Sequence, residues 1–191
     1  MKVKVVYEDN ERIELKLEDT KTYFANALRR LSMTAVPVMA IDTITVYENT
    51  SSSFDEYISH RLGLIPLKTP SSYPKNSSCT LILHKEGPCT VYSSDLKSKD
   101  QSVKPSFPNI PIIKLLEHQS IRIEAHAVFG TGSKHAKFQP CLASYEKNTE
   151  NSFSFFVESF HQLPPRKILL QAAELLEEKA EEFEKHLSKM K

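Results

Sequence analysis

Apolar and charged residues alternate at the start of the chain. Val3, Val5 and Tyr7 stand among mostly polar neighbours, and Ile13, Leu15 and Leu17 alternate with Arg12, Glu14, Lys16 and Glu18. A period of two predicts two strands, and Asp9-Asn10 between them predicts a hairpin with one apolar and one charged face. The period then lengthens. Phe24, Ala27, Leu28, Leu31 and Ala35 recur at spacings of three and four, the stripe of an amphipathic helix, with Thr20 or Thr22 as its cap and Pro37 as its end. MAIDTITVYEN is β-branched and predicts a strand, whereas DEYISHRLGLIPL predicts a short helix stopped by Gly63 and then Pro66. From Thr69 to Asn109 Pro, Ser and Lys dominate, with strand candidates at Thr80–His84 and near Val91. SIRIEAHAVFG places Ile121, Ile123, Ala125, Ala127 and Phe129 on one face of a strand, and SFSFFVESF is apolar enough for a central one. The tail from Pro164 predicts a long helix with Pro165 in its first turn. Leu169, Ala172, Leu176, Ala180, Phe183, Leu187 and Met190 form one stripe along it.

Both helical stripes carry more apolar surface than a small sheet buries easily. At ~25 cal/mol per Å², each Leu, Phe or Met left in water forfeits roughly 1.5–3 kcal/mol. Two readings stand: the helices pack on their own sheet alone, or part of the stripe is a permanent protein interface.

Composition narrows the function classes. The chain has 191 residues and 40% hydrophobic content, enough for the core of one domain or two small ones. Its 25 basic and 24 acidic residues leave a formal charge of +1, which disfavours autonomous nucleic-acid binding through phosphate neutralisation. No apolar run approaches a membrane span. MKVKVVYEDNERIEL is too charged for a signal peptide, and three widely spaced cysteines, Cys79, Cys89 and Cys141, fit reduced thiols in a cytoplasmic protein.

Candidate chemistry is sparse. VFGTGSKHAKFQP, from Val128 to Pro140, leaves a predicted strand with Gly130, Gly132, Lys134, His135 and Lys137, and so invites a phosphate-cradle reading. Neither glycine has the Gly-Lys-Ser/Thr continuation of a Walker loop, and Pro140 arrives where a helix must begin, so a nucleotide-binding enzyme is disfavoured. A strand-end turn and a basic loop docking on a neighbour remain. NALRR sets Asn26 and Arg30 four apart, with Arg29 expected to turn away from both. It is either a solvated face or a gripping surface for carboxylates and carbonyls. His60 lacks a nucleophile or acid at triad-like spacing, and the other histidines form no metal-ligand pattern. Asp42 reads as a structural carboxylate. No nucleophile–base–orienter set emerges, so no catalytic residue is assigned.

Taken together, three strings carry a resemblance. FANALRRLSMTAVPVMAIDTITVYENTSSSFDEYISHRLGLIPL resembles the N-terminal part of the D-type subunits of archaeal RNA polymerase. It also resembles their counterpart, the third-largest subunit of eukaryotic RNA polymerase II, and more distantly the bacterial α subunit. GTGSKHAKFQP is similar to the family's Gly-rich loop, with Phe138 where tryptophan is usual, and FSFFVESFHQLPPRKILLQAAELLEEKAEEF is similar to its last strand and helix.

The resemblance implies an α+β fold. A discontinuous dimerisation domain (1–48 and 152–191), a small antiparallel sheet with two amphipathic helices, would surround an inserted mainly-β domain (49–151). It implies a non-catalytic polypeptide that pairs with the polymerase's small L subunit, then collects the N and P subunits and the two large catalytic subunits, without direct nucleic-acid contact. Carried over by residue, Phe24, Leu28, Leu31, Leu169, Leu176, Phe183 and Leu187 would form the dimer interface. Asn26, Arg29, Arg30, His60, Arg61, Lys134, His135 and Lys137 would meet neighbouring subunits. Many archaeal members carry a ferredoxin-like domain with iron–sulfur clusters. Here CLASYEKNTENS, with a single cysteine, stands before the final strand, and a cluster needs four thiolates, so no cluster, metal or other cofactor is expected.

Overall fold

A computed structural model describes residues 1–70 and 77–189. In chain order its elements are β1 (Lys2–Glu8), β2 (Arg12–Glu18), α1 (Thr22–Thr34), β3 (Val38–Asn49), α2 (Asp55–Gly63), β4 (Ser78–Glu86) and β5 (Cys89–Tyr92). They continue with β6 (Lys97–Ser98), β7 (Pro111–Leu115), β8 (Ser120–Gly130), β9 (Cys141–Thr149), β10 (Ser152–Ser159) and α3 (Pro165–Ser188). Every strand pairing among them is antiparallel. The fold is thus a mixed one of antiparallel sheets with three α-helices among the described residues.

The chain divides into two compact units, Met1–Pro37 with Thr131–Lys191, and Val38–Gly130. These boundaries differ from those expected at 48/49 and 151/152. Strand β3 pairs along its length with β8, from Val38↔Gly130 to Asn49↔Ile121, and therefore belongs to the central unit. Strand β9, which falls in the expected insert, pairs with β10 and belongs with the terminal segments.

In the terminal unit the sheet order is β1-β2-β10-β9. The hairpin predicted around Asp9 forms because the Asp9 carboxylate accepts from the amides of Glu11 (2.8 Å) and Arg12 (2.7 Å), closing a turn without glycine. Ile13, Leu15 and Leu17 face Phe153, Phe155 and Val157 across the β2/β10 pair, and all six are buried. Helix α1 lies on β9 and α3 on β2 and β10, with the helices also touching each other. Ala25, Leu28, Ile168, Leu169 and Ala172 close the core from that side. The N-cap position of helix α1 is Lys21, and no side-chain bond caps it. Thr20 is buried with its amide on the Asn151 carbonyl, so neither threonine caps the helix as expected.

In the central unit one sheet runs β3-β8-β4-β6 and a two-stranded ribbon pairs β5 with β7. Ile121, Ile123, Ala125 and Ala127 of β8 form the predicted buried row, with Phe129 half-buried. Ile58 and Leu62 bring α2 onto the same core.

Candidate subunit interfaces

Helix α1 buries Ala25, Leu28 and Ser32, whereas Phe24, Ala27 and Leu31 remain half-buried. At 100° per residue the latter three lie on one flank of the buried row, so the apolar stripe is wider than the surface the unit covers. On the opposite flank Asn26 Oδ1 accepts two bonds from Arg29, from Nε at 3.3 Å and Nη2 at 3.0 Å. This corrects the expectation that Arg29 turns away. Residues three apart are surface neighbours as surely as residues four apart. Arg30 is exposed. Asn26 therefore holds the Arg29 guanidinium in a set orientation.

Helix α2 separates its two candidate residues. Arg61 is engaged within the unit: it donates to the Pro111 carbonyl and, at 3.3 Å, to the Tyr57 hydroxyl, with its guanidinium 5.7 Å from the Tyr57 ring. It ties α2 to β7. His60 is exposed and, with Asp55, Glu56, Ser59, Ile44 and Val46, lines a shallow groove between α2 and β3.

The Gly-rich loop is clamped to the end of α1. The Ser133 amide caps the Thr34 carbonyl at 3.0 Å, and a Cβ built on Gly132 would lie 2.2 Å from the Met33 carbonyl oxygen. Close backbone approach therefore demands glycine there. The amides a phosphate would need are occupied: Lys134 and His135 donate to the Thr131 carbonyl, Lys137 to His135 Nδ1 at 3.1 Å and Phe138 to the His135 carbonyl. Only a three-residue 3₁₀ turn, Ala136–Phe138, follows. The arrangement is no phosphate cradle. Phe138 is fully buried, and the ammonium groups of Lys134 and Lys137 sit 5.4 and 5.2 Å from its ring. The aromatic of this loop is its anchor, and Lys134 and His135 form its exposed rim. Beneath it the Cys141 thiol donates to the Ser32 carbonyl at 3.4 Å, and burial pushes its pKa up to about 12, so it stays a neutral thiol.

Helix α3 changes character along its length. Leu169 is buried, Leu176 half-buried, and every described residue from Glu177 onward is exposed, Phe183 at 66% and Leu187 at 53%. Leu169, Ala172, Leu176, Ala180, Phe183 and Leu187 share one face, so the exposed apolar run continues the buried one without turning. Met190 lies outside the described residues. Sequence reasoning passed over a second uncovered apolar region on β1, where Val3 is 55% and Val5 41% exposed. Its signal was the unprotected alternation of the first strand.

Among the described residues no helix is long and apolar enough to cross a membrane, and no group of three or more His, Cys, Asp or Glu side chains is gathered as for a metal ion.

The sequence profile described as the RNA polymerase Rpb3/RpoA insert domain matches residues 38–142. The chain is 49% identical over 160 residues to DNA-directed RNA polymerase subunit Rpo3 of Methanocaldococcus jannaschii, covering 84% of this chain and 82% of that one. It is 41% identical over 170 residues to the Rpo3 subunit of Pyrococcus horikoshii and 43% over 156 residues to that of Pyrococcus furiosus. The alignments take in 85% and 78% of this chain and 66% and 60% of those longer relatives, less than two thirds of each. With the profile across more than half the chain and archaeal relatives this similar, the chain belongs to the Rpb3/RpoA family of DNA-directed RNA polymerase subunits.

Proposed function

We propose that this chain is a non-catalytic assembly subunit of an archaeal RNA polymerase, of the D type. It pairs with the L subunit through the apolar flank of α1 and the exposed run of α3, and the pair then collects the N and P subunits and the two catalytic subunits. One observation carries the reading: the buried face of α3 runs straight on into an uncovered one bearing Phe183 and Leu187. Covering what is exposed of two such side chains contributes up to roughly 1.5–3 kcal/mol each, apolar burial of the kind obligate interfaces are built from. Exposed Arg30 and half-buried Arg29 on α1, and the Lys134–His135 rim, are the polar surfaces offered to the larger subunits.

Co-expression with the L subunit tests the pairing. Native mass spectrometry is expected to show a one-to-one complex with the parent chain and none with the double variant Phe183→Glu/Leu187→Glu. The melting of the lone variant chain should stay within about 0.5 kcal/mol of the parent, since neither position is covered in it. A chain that remains a homodimer beside free L subunit, or a variant that pairs as tightly as the parent, would overturn the reading.

A further inference from the structure

Strand β1 is the least covered element of its sheet. One edge pairs with β2, and among the described residues no strand pairs with the other. All seven of its residues are exposed. Register sorts them by face. Val3 lies opposite Leu17 and Val5 opposite Leu15, and both leucines are buried, so the valines point to the helix-bearing side. None of the described helices covers them. The first turn of α3 is tied to the end of β1 by the bidentate Arg166–Glu8 pair, and Leu170, one turn on, is 57% exposed. The result is an apolar shelf beside a free row of main-chain donors and acceptors.

The other face of β1 is basic. Lys2 lies opposite Glu18 and Lys4 opposite Lys16, while Lys16 itself bonds Glu18 at 2.7 Å. Like charges directly opposite one another destabilise a ladder, and an acidic neighbour on the open side of Lys4 would relieve them.

We propose that the free edge of β1 is a strand-addition site for another protein, and that it takes an extended segment alternating apolar and acidic side chains. With period two, the apolar side chains cover Val3 and Val5 while the acids meet Lys2 and Lys4 on the opposite face. A second copy of this chain fits poorly: two β1 edges side by side would set lysines against lysines on one face. Lys2, Lys4 and the bulge after Val5 guard this edge against pairing with its like, which leaves it to a partner of opposite charge. The site is separate from the exposed run of α3 and stands or falls independently of the pairing with the L subunit.

The test uses the full chain and two capped octapeptides, one alternating valine with glutamate and one alternating valine with lysine. Fluorescence anisotropy is expected to show the glutamate peptide binding about tenfold tighter than the lysine peptide. Hydrogen exchange should show slowed amides in β1. The variant Lys2→Glu/Lys4→Glu, both changes at exposed positions, should reverse the preference. Equal binding of the two peptides, no binding of either, or protection that maps to α3 would overturn the proposal. So would sedimentation showing the chain dimerised through β1, because the occupant would then be a second copy.

Discussion

The two halves of α3 have the same sequence pattern and opposite surroundings. Up to Ala172 the stripe meets the sheet and α1, and Ile168, Leu169 and Ala172 are buried; beyond Leu176 the same face is exposed among the described residues, Phe183 and Leu187 included. A helical stripe thus reports only which face is apolar. What covers that face depends on how far the sheet beneath extends, and the β2/β10 pair ends before the helix does. The first half is part of the fold, and the second is surface.

The contrast is broken most directly by truncating both halves. Ile168→Ala removes a fully buried side chain and is expected to cost about 2–5 kcal/mol, read from urea unfolding of the lone chain. Phe183→Ala, although it deletes a larger group, should shift the same curve by less than about 0.5 kcal/mol. Similar losses at both sites would mean that the distal half folds back and the division is false.

A smaller effect is expected where the Gly-rich loop meets α1. In Gly132→Ala the new Cβ would press on the Met33 carbonyl oxygen and the Thr34 Cα, both backbone atoms, so the end of α1 must shift. The expected cost is about 1–3 kcal/mol in the same unfolding measurement. A neutral result would show that the loop is a free arm, which would place it with the distal half of α3 rather than with the core.

Periodicity made most of the elements legible. The β1–β2 alternation, the stripes of α1 and α3 and the apolar rows of β8 and β10 each need only local sequence. What failed was non-local. Strand β9 carries its signal in Cys141, Ala143 and Tyr145, one large residue among three, followed by the polar run Glu146–Asn148, and it reads as a linker until its pairing with β10 is known. The unit boundaries were misplaced for the same reason, since β3 and β9 are assigned by their pairing partners. Among the candidate interface residues, sequence could not tell that Arg61 is turned inward to Pro111 or that the aromatic of the basic loop is buried. Chemical type fixes what a side chain can bond, and topology decides whether the bond is made within the chain.

The smallest expected effect lies where the buried half of α3 holds the uncovered strand. The Arg166 guanidinium bonds both Glu8 carboxylate oxygens and holds that carboxyl below its ordinary value of 4.5. A group whose folded pKa is depressed contributes stability that is present above its unfolded value and is lost as the pH falls through the folded one. The tie between β1 and α3 is therefore complete at neutral pH and weakens below about pH 4.5. Both side chains are partly solvated, so screening keeps the contribution small. Glu8→Gln should melt slightly below the parent at pH 7, and the gap should close in acid and also narrow in high salt. A gap that stays constant from pH 7 down to about pH 3 would assign the effect to the amide itself rather than to the ion pair. The anchor of β1 would then lie in its hairpin with β2 alone.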